Sequence, residues 1–331
     1  MAPATRVVVI GASLGGVEAL QSIAAGLPAG FAAPIVVAMH IGARPSLMPR
    51  LLAGRGALPV HAAGHGQTLQ AGHVYIAPAD HHVLVDGPLL RLSQGPKEHH
   101  ARPAVDPLFR SAALSRGTAV IGVVLTGMLD DGTAGLQAVK AAGGIAVVQD
   151  PDDAVAPGMP RSALRHVAVD HCRPLAAIPR LLARLAAEPA PADPGARLAR
   201  ERRELDLFLS KGNAMEHLRD IAHPSPYVCP DCNGGLWKLD GTTPARYRCH
   251  TGHGFTLRSL LHAQAEASDG ALWSALRALQ EKRMLLEELA ADADTEDPDA
   301  TPSRLHGDAT QLARQVDLLR ELLEHVPTPP E

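Results

Sequence analysis

Val7-Val8-Val9-Ile10-Gly11-Ala12-Ser13-Leu14-Gly15-Gly16 joins a run of β-branched apolar residues to a glycine-rich turn. The run is short, wholly apolar and ended by Gly11, which predicts a buried strand. Residues 17–25 follow with a helical pattern and stop at Gly26-Leu27-Pro28. The alternation continues outward. Residues 35–39 read as a second strand, and residues 45–52 as a helix with Leu47, Met48, Leu51 and Leu52 at helical spacing. Residues 74–76, 83–85 and 89–92 predict short strands, the last two a hairpin turning at Asp86-Gly87. Residues 106–116 (helix), 119–125 (strand), 133–142 (helix), 145–149 (strand) and 179–187 (helix) complete the pattern. Strand–helix alternation of this kind predicts the α/β class: a doubly wound, mainly parallel sheet with both faces covered.

The 331 residues suffice for about two domains at ~100–200 residues each. Aromatics are 3% against 46% hydrophobic residues, so the core must be aliphatic. The formal net charge of -4 supplies no field for a polyanion, which argues against nucleic acid as a partner. No apolar stretch reaches the ~18–20 residues of a membrane span, and the N-terminus lacks the regions of a signal peptide. Four Cys in a chain of this length make no disulfide framework. A reduced, cytoplasmic setting is expected, without membrane insertion.

Three polar positions fall at strand ends. Ser13 follows the first strand, His40 the second, and Asp130-Asp131-Gly132 the strand at 119–125. In a parallel sheet the carboxyl ends of the strands form one rim, where ligands bind. A serine hydroxyl is a poor nucleophile at neutral pH, an imidazole can take its proton, and a carboxylate orients the imidazole. Each residue has a plainer reading: Ser13 as a helix N-cap, His40 as a structural histidine, Asp130-Asp131-Gly132 as a capped turn. The glycine-rich turn can also be read as a phosphate cradle. It lacks Gly-Lys-Ser/Thr, however, and the second strand ends in His40 rather than the acidic residue a ribose requires.

The ordered set Gly11-Ala12-Ser13-Leu14-Gly15-Gly16, Met39-His40, Arg102-Pro103-Ala104-Val105-Asp106-Pro107-Leu108-Phe109, Leu125-Thr126-Gly127-Met128-Leu129-Asp130-Asp131-Gly132 and Pro157-Gly158-Met159-Pro160 resembles the catalytic domain of the bacterial protein-glutamate methylesterases (CheB). The resemblance runs through roughly residues 5–185. It implies hydrolysis of γ-glutamyl methyl esters on methyl-accepting chemotaxis receptors, releasing methanol, and deamidation of some glutamines, with no cofactor for catalysis. By the same resemblance Ser13 is the nucleophile, His40 the base and Asp131 the acid, and the backbone amides of Leu14 and Met128 form the oxyanion hole. Two positions depart from the family: Leu14 stands where Thr is common and Leu129 where Gly is common. The receiver domain typical of the family has no counterpart ahead of Val7, so control by a receiver of its own is not expected. Arg102 is a candidate substrate contact or, alternatively, an ion-pair partner of Asp106. His61, His65, His73, His81, His82, His99 and His100 show no ligand spacing and read as surface or loop residues.

Residues 188–195 are a Pro-rich linker, and residues 198–214 read as a short charged helix. Cys229 and Cys232, then Cys249 and His253, make a C-x2-C-x16-C-x3-H pattern. That is the spacing of a structural Zn²⁺ site on two knuckles, with residues 236–239 and 246–248 as hairpin arms. His250 is the alternative fourth ligand, and Cys172 stands apart. Similar zinc-ribbon extensions follow some receiver-less methylesterase domains. Residues 257–289 and 305–326 carry long helical patterns that predict a helical hairpin, separated by an acidic loop at 292–302. The expected organisation is therefore a catalytic domain (1–187), a linker with a short helix (188–226), a zinc-ribbon-like module (227–256) and a helical hairpin (257–326). The leading reading is a serine esterase. The rival is a weakly active or inactive scaffold whose C-terminal helices bind a receptor, a sensor kinase or a methyltransferase; a nucleotide-binding enzyme is a third, weaker reading.

Overall fold

The computed structural model describes residues 5–42, 47–192, 198–292 and 301–324. They fall in two units, residues 1–260 and 261–331. The first unit is built on β1 (Val7–Ala12), α1 (Gly16–Gly26), β2 (Ile35–Met39), α2 (Met48–Leu52), β3 (Val60–Ala62) and β4 (Val74–Ile76). A hairpin of β5 (His82–Asp86) and β6 (Leu89–Ser93) follows. Then come α3 (Val105–Arg116), β7 (Val120–Val124), α4 (Thr133–Ala141), β8 (Ile145–Gln149), α5 (Gly158–His166), β9 (His171–Arg173) and α6 (Ile178–Ala187).

Seven strands form one sheet in the order β3-β4-β2-β1-β7-β8-β9, and every pairing is parallel. Side chains alternate between its faces. Val7 and Val9 of β1 enter the core under α3 and α4 with Leu108, Phe109 and Leu136. Val8 and Ile10 enter the opposite core with Leu20, Ile23 and Leu182 of α1 and α6. Burial on both faces explains why β1 is apolar without interruption. The chain moves outward one way from β1 through β2 and the other way through β7, so the strand order reverses between β1 and β7. A parallel sheet opens a crevice at such a point, and the β2, β1 and β7 ends carry His40, Ser13 and Asp131.

The remaining elements of the first unit are α7 (Ala199–Phe208), α8 (Ala214–Ile221), β10 (Ala222–Val228), β11 (Gly235–Leu239), β12 (Arg246–Cys249) and β13 (Gly254–Thr256). The helix expected over 198–214 is cut short. Ser210 and Gly212 take left-handed φ values of 52° and 69°, and Asn213 caps α8 through Met215 N–H. The hairpin arms are β11 and β12, within a four-stranded antiparallel sheet ordered β10-β11-β12-β13. β10 contains Pro224 and Pro226, which a strand tolerates at an edge and at a bulge; it has both.

Five buried charges fasten this sheet to the parallel one. Glu98 takes Arg110 at 2.9 and 3.0 Å and Arg248 at 2.7 Å. Glu204 takes Arg246 at 2.8 and 2.9 Å and Arg248 at 3.1 Å. Loop, α3, α7 and β12 are thereby joined.

Two long helices, α9 (Leu257–Asp292) and α10 (Pro302–Glu324), complete the chain. Parts of the expected linker (193–197), acidic loop (293–300) and second helix (325–326) lie outside the described residues, as do residues 45–46 of the helix expected over 45–52. Among the described residues, no helix is long and apolar enough to cross a membrane.

Candidate active site

β1 delivers Ser13 to the rim. Its N–H donates to Thr126 O at 2.9 Å, and its carbonyl accepts Gly16 N–H at 2.8 Å. The N-cap of α1 is Gly15, with a left-handed φ of 76°, so Ser13 has no capping duty. Gly127 runs close beside it: a Cβ there would collide with Met159 Sδ and stand 2.9 Å from Ser13 Cβ. Thr126 ties the two loops together, donating to Leu14 O at 2.9 Å and accepting Ala156 N–H at 2.8 Å.

His40 follows β2 directly. Its Nδ1 lies 3.0 Å from Ser13 Oγ and its Nε2 lies 2.7 Å from Asp131 Oδ2. With the ring proton on Nε2, Ser13 donates to the imidazole and the imidazole donates to the carboxylate. The His40 side chain is 24% exposed and that of Asp131 only 2%, so the array is open at the hydroxyl end and closed at the acid end. Asp131 is saturated. Oδ2 also accepts Val105 N–H at 2.7 Å, and Oδ1 accepts Asp106 N–H at 2.9 Å and Gly132 N–H at 2.7 Å. Two of those donors are the first turn of α3. Burial works to raise this carboxyl, but the charge of His99, the His40 hydrogen bond and the Val105 amide hold it below the usual carboxylate range.

Leu14 and Met128 flank Ser13, 55% and 41% exposed. Among the described residues, neither backbone N–H has a protein acceptor. Leu129 sits at a left-handed φ of 58°, a conformation glycine adopts more cheaply.

Arg102 forms an ion pair, with Asp80 rather than Asp106. Its Nε and Nη2 bind Asp80 at 2.9 and 2.7 Å, and its Nη1 binds the carbonyls of Gln94 and Gly95. Asp106 pairs instead with His99, at 2.9 Å. His82 opens β5 rather than lying on the surface or in a loop, and His99 lies in the loop before α3 with its side chain turned inward, 5% exposed. His82 is buried against Phe208, where desolvation lowers it to about 4. His99 is buried behind Asp131. Sequence reasoning missed this wall because its partner Ser259 lies 160 residues further along the chain.

Cys229, Cys232, Cys249 and His253 bring their ligand atoms within 4.8 Å of one another, with Cys232 Sγ 3.7 Å from Cys249 Sγ and Cys249 Sγ 3.5 Å from His253 Nδ1. Tetrahedral ligands ~2.3 Å from Zn²⁺ stand ~3.8 Å apart, so the donor set fits that ion. Two backbone knuckles shape it: Asn233 N–H to Cys229 O and Gly252 N–H to Cys249 O. His253 joins the group among the described residues; the ring of His250 lies against Gly234.

A hydroxyl, an imidazole and a carboxylate hydrogen-bonded in series at the rim of a parallel sheet is the geometry found in serine hydrolases. Comparison with known proteins is specific. The family model described as CheB methylesterase matches residues 8–182, more than half of the chain. The chain belongs to the CheB methylesterase family. It is 44% identical over 181 residues to "Protein-glutamate methylesterase/protein-glutamine glutaminase 2" of Anaeromyxobacter dehalogenans (strain 2CP-C), covering 54% of this chain and 53% of that protein. It is 38% identical over 180 residues to a "Putative protein-glutamate methylesterase/protein-glutamine glutaminase" of Leptospira interrogans, covering 54% of this chain and 93% of that protein. The crystal structure of the Thermotoga maritima CheB methylesterase catalytic domain superposes with a TM-score of 0.53 at 35% identity, over 55% of this chain and 99% of that one. The chain spans about half the length of the first two curated relatives it matches.

Proposed function

We propose that this protein hydrolyses γ-glutamyl methyl esters on a bacterial chemoreceptor in the cytoplasm, with Ser13 as nucleophile, His40 as general base and Asp131 as the acid that orients His40. The observation that carries this reading is the Ser13–His40–Asp131 relay. His40 Nδ1 takes the Ser13 proton as Oγ attacks the ester carbonyl. The N–H groups of Leu14 and Met128 donate to the developing oxyanion. His40 then passes the proton to the departing methanol, leaving a γ-glutamyl ester on Ser13. Water, deprotonated by His40, releases glutamate and restores the serine. A glutamine side chain entering the same path loses ammonia instead of methanol, which accords with the double name of the relatives.

The test is covalent and chemical together. A fluorophosphonate probe is expected to label Ser13, and methylated receptor peptides are expected to lose methyl groups with release of methanol. Absence of both Ser13 labelling and methanol release from methylated receptor peptides overturns the reading.

The second reading, a scaffold acting through its C-terminal helices, draws on a separate observation. Trp273, Leu285 and Leu289 of α9 and Leu318 and Leu322 of α10 are exposed apolar side chains. The partner would be a receptor, a sensor kinase or a methyltransferase, and retention of one of them by a Ser13-blocked protein would favour this role.

The Cys229, Cys232, Cys249 and His253 cluster is proposed as a closed structural Zn²⁺ site, which supplies folding free energy and no reaction step. Freshly purified protein is expected to carry about one Zn²⁺ per chain. Cys249→Ser is expected to abolish that stoichiometry and lower the melting temperature. Metal content near zero in the native protein excludes the assignment.

A further inference from the structure

His99 is a buried imidazole that the proposed hydrolysis does not use. Its Nε2 lies 2.9 Å from Asp106 Oδ2 and 3.6 Å from Asp131 Oδ1. Its Nδ1 lies 3.1 Å from Ser259 Oγ and 3.8 Å from Asp130 Oδ1. Three carboxylates and one hydroxyl therefore surround a single ring. Asp131 is held from two sides, Oδ2 facing His40 and Oδ1 facing His99.

Part of what fixes His99 lies beyond the family-matched segment, which ends at residue 182. The His99 N–H donates to Gly254 O at 2.7 Å, on the first residue of β13. Thr256 and Ser259 then cap α9 reciprocally: Thr256 N–H donates to Ser259 Oγ at 2.9 Å, and Ser259 N–H to Thr256 Oγ1 at 3.1 Å. The Thr256 hydroxyl is left to donate to Asp130 Oδ1 at 2.8 Å. Both Thr256 and Ser259 are buried. The cap that starts α9 thus grips the wall behind Asp131 at two points.

We propose that His99, clamped by Thr256 and Ser259, is a positioning residue for the hydrolysis, fixing Asp131 from the side opposite His40. This role rests on the hydrolytic reading above. It makes β13 and the first turn of α9 part of the site although neither touches the reacting atoms.

Burial opposes a charge on the ring, but Asp131, Asp106 and Asp130 outweigh it and raise His99 to about 10. Asp106 from α3 and Asp130 and Asp131 from the loop after β7 face the ring, with Ser259 as its neutral neighbour from α9; Glu98 and, from β12, Arg246 and Arg248 line the same small cavity. Asp131 links the two rings: it meets His99 at Oδ1 and His40 at Oδ2, so what holds His99 also holds the carboxylate that orients His40.

The experiment compares wild type with His99→Asn, Ser259→Ala and Thr256→Val, and with the conservative Thr256→Ser. Two readouts are taken: kcat and KM on a methylated receptor peptide, and the downfield NMR signal of the His40 ring N–H that Asp131 accepts, assigned by its loss in His40→Ala. In His99→Asn we expect kcat to fall about 10- to 100-fold with little change in KM, and the ring N–H signal to shift or broaden. Ser259→Ala and Thr256→Val should move both readouts in the same direction by less, and Thr256→Ser should restore them. An unmoved ring N–H signal in His99→Asn, or in Ser259→Ala should His99→Asn not fold, overturns the role. If wild type releases no methanol, the hydrolytic reading fails, and the ring signal still decides whether His99 positions Asp131 against His40.

Discussion

Ser13→Ala is expected to lower methyl-ester hydrolysis at least about 10⁴-fold, with the melting temperature within about 2 °C of wild type. The fold should survive because the turn around Ser13 is fixed by its backbone: Ser13 N–H to Thr126 O and Gly16 N–H to Ser13 O are bonds that alanine keeps. Among the described residues its side chain bonds to His40 alone. His40 also keeps its place, since Asp131 holds Nε2 at 2.7 Å. What is lost is the nucleophile alone. Residues that act as one unit lose their effect together, so Ser13→Ala/His40→Ala should be scarcely slower than Ser13→Ala. Methanol release and probe labelling measure both. Single-variant activity within tenfold of wild type excludes Ser13 as the nucleophile. Losses that multiply in the double variant mean that the two residues act independently.

The main strands were legible because each is a run of four to five apolar, mostly β-branched residues closed by glycine or by a polar residue, as Val7–Ala12 and Val120–Val124 are. β3 and β9, three residues each, carry no such pattern, since period and propensity need length to register. β10 was hidden by its two prolines, which read as loop until its edge position is known. That Ser13, His40 and the Asp130-Asp131 pair share one rim was legible for a topological reason: adjacent parallel strands β2, β1 and β7 bring their carboxyl ends together whatever the intervening length. The choice of Asp131 over Asp130 came from the family resemblance. His99, Thr256 and Ser259 carried no comparable signal. Their meeting depends on how β13 packs beside the loop at residues 97–99, a contact that hydrophobic periodicity does not encode. The ion pair of Arg102 was foreseen as an alternative, but its partner was not, because Asp80 reaches it from another loop.

Loss of Glu204 should be a large stability defect. Glu204→Ala is expected to cost about 3–5 kcal/mol. The Glu204 side chain is 0% exposed and lies against Arg246 and Arg248, with Arg110 at 3.5 Å. Burial works against its charge, but the three guanidinium groups hold it down at about 2. Alanine leaves those three buried cations with Glu98 as the remaining carboxylate of the group. Uncompensated guanidinium groups draw in water or push the elements apart. The elements concerned are α7, β12 and α3, and the first turn of α3 is what holds Asp131. Urea unfolding should therefore show a lowered midpoint, and amide exchange should rise first in β10–β13. The linkage has a definite sign. A depressed carboxyl contributes stability above its unfolded value, near 4.5, and loses it as pH falls toward about 2. Wild-type stability should decline across that window, and Glu204→Gln, which cannot titrate, should decline less. The exposed pair Arg203–Asp220 is the control: Asp220→Asn should shift stability by no more than about 0.5 kcal/mol. A Glu204→Ala cost as small as that control means that the five buried charges do not fasten the sheets.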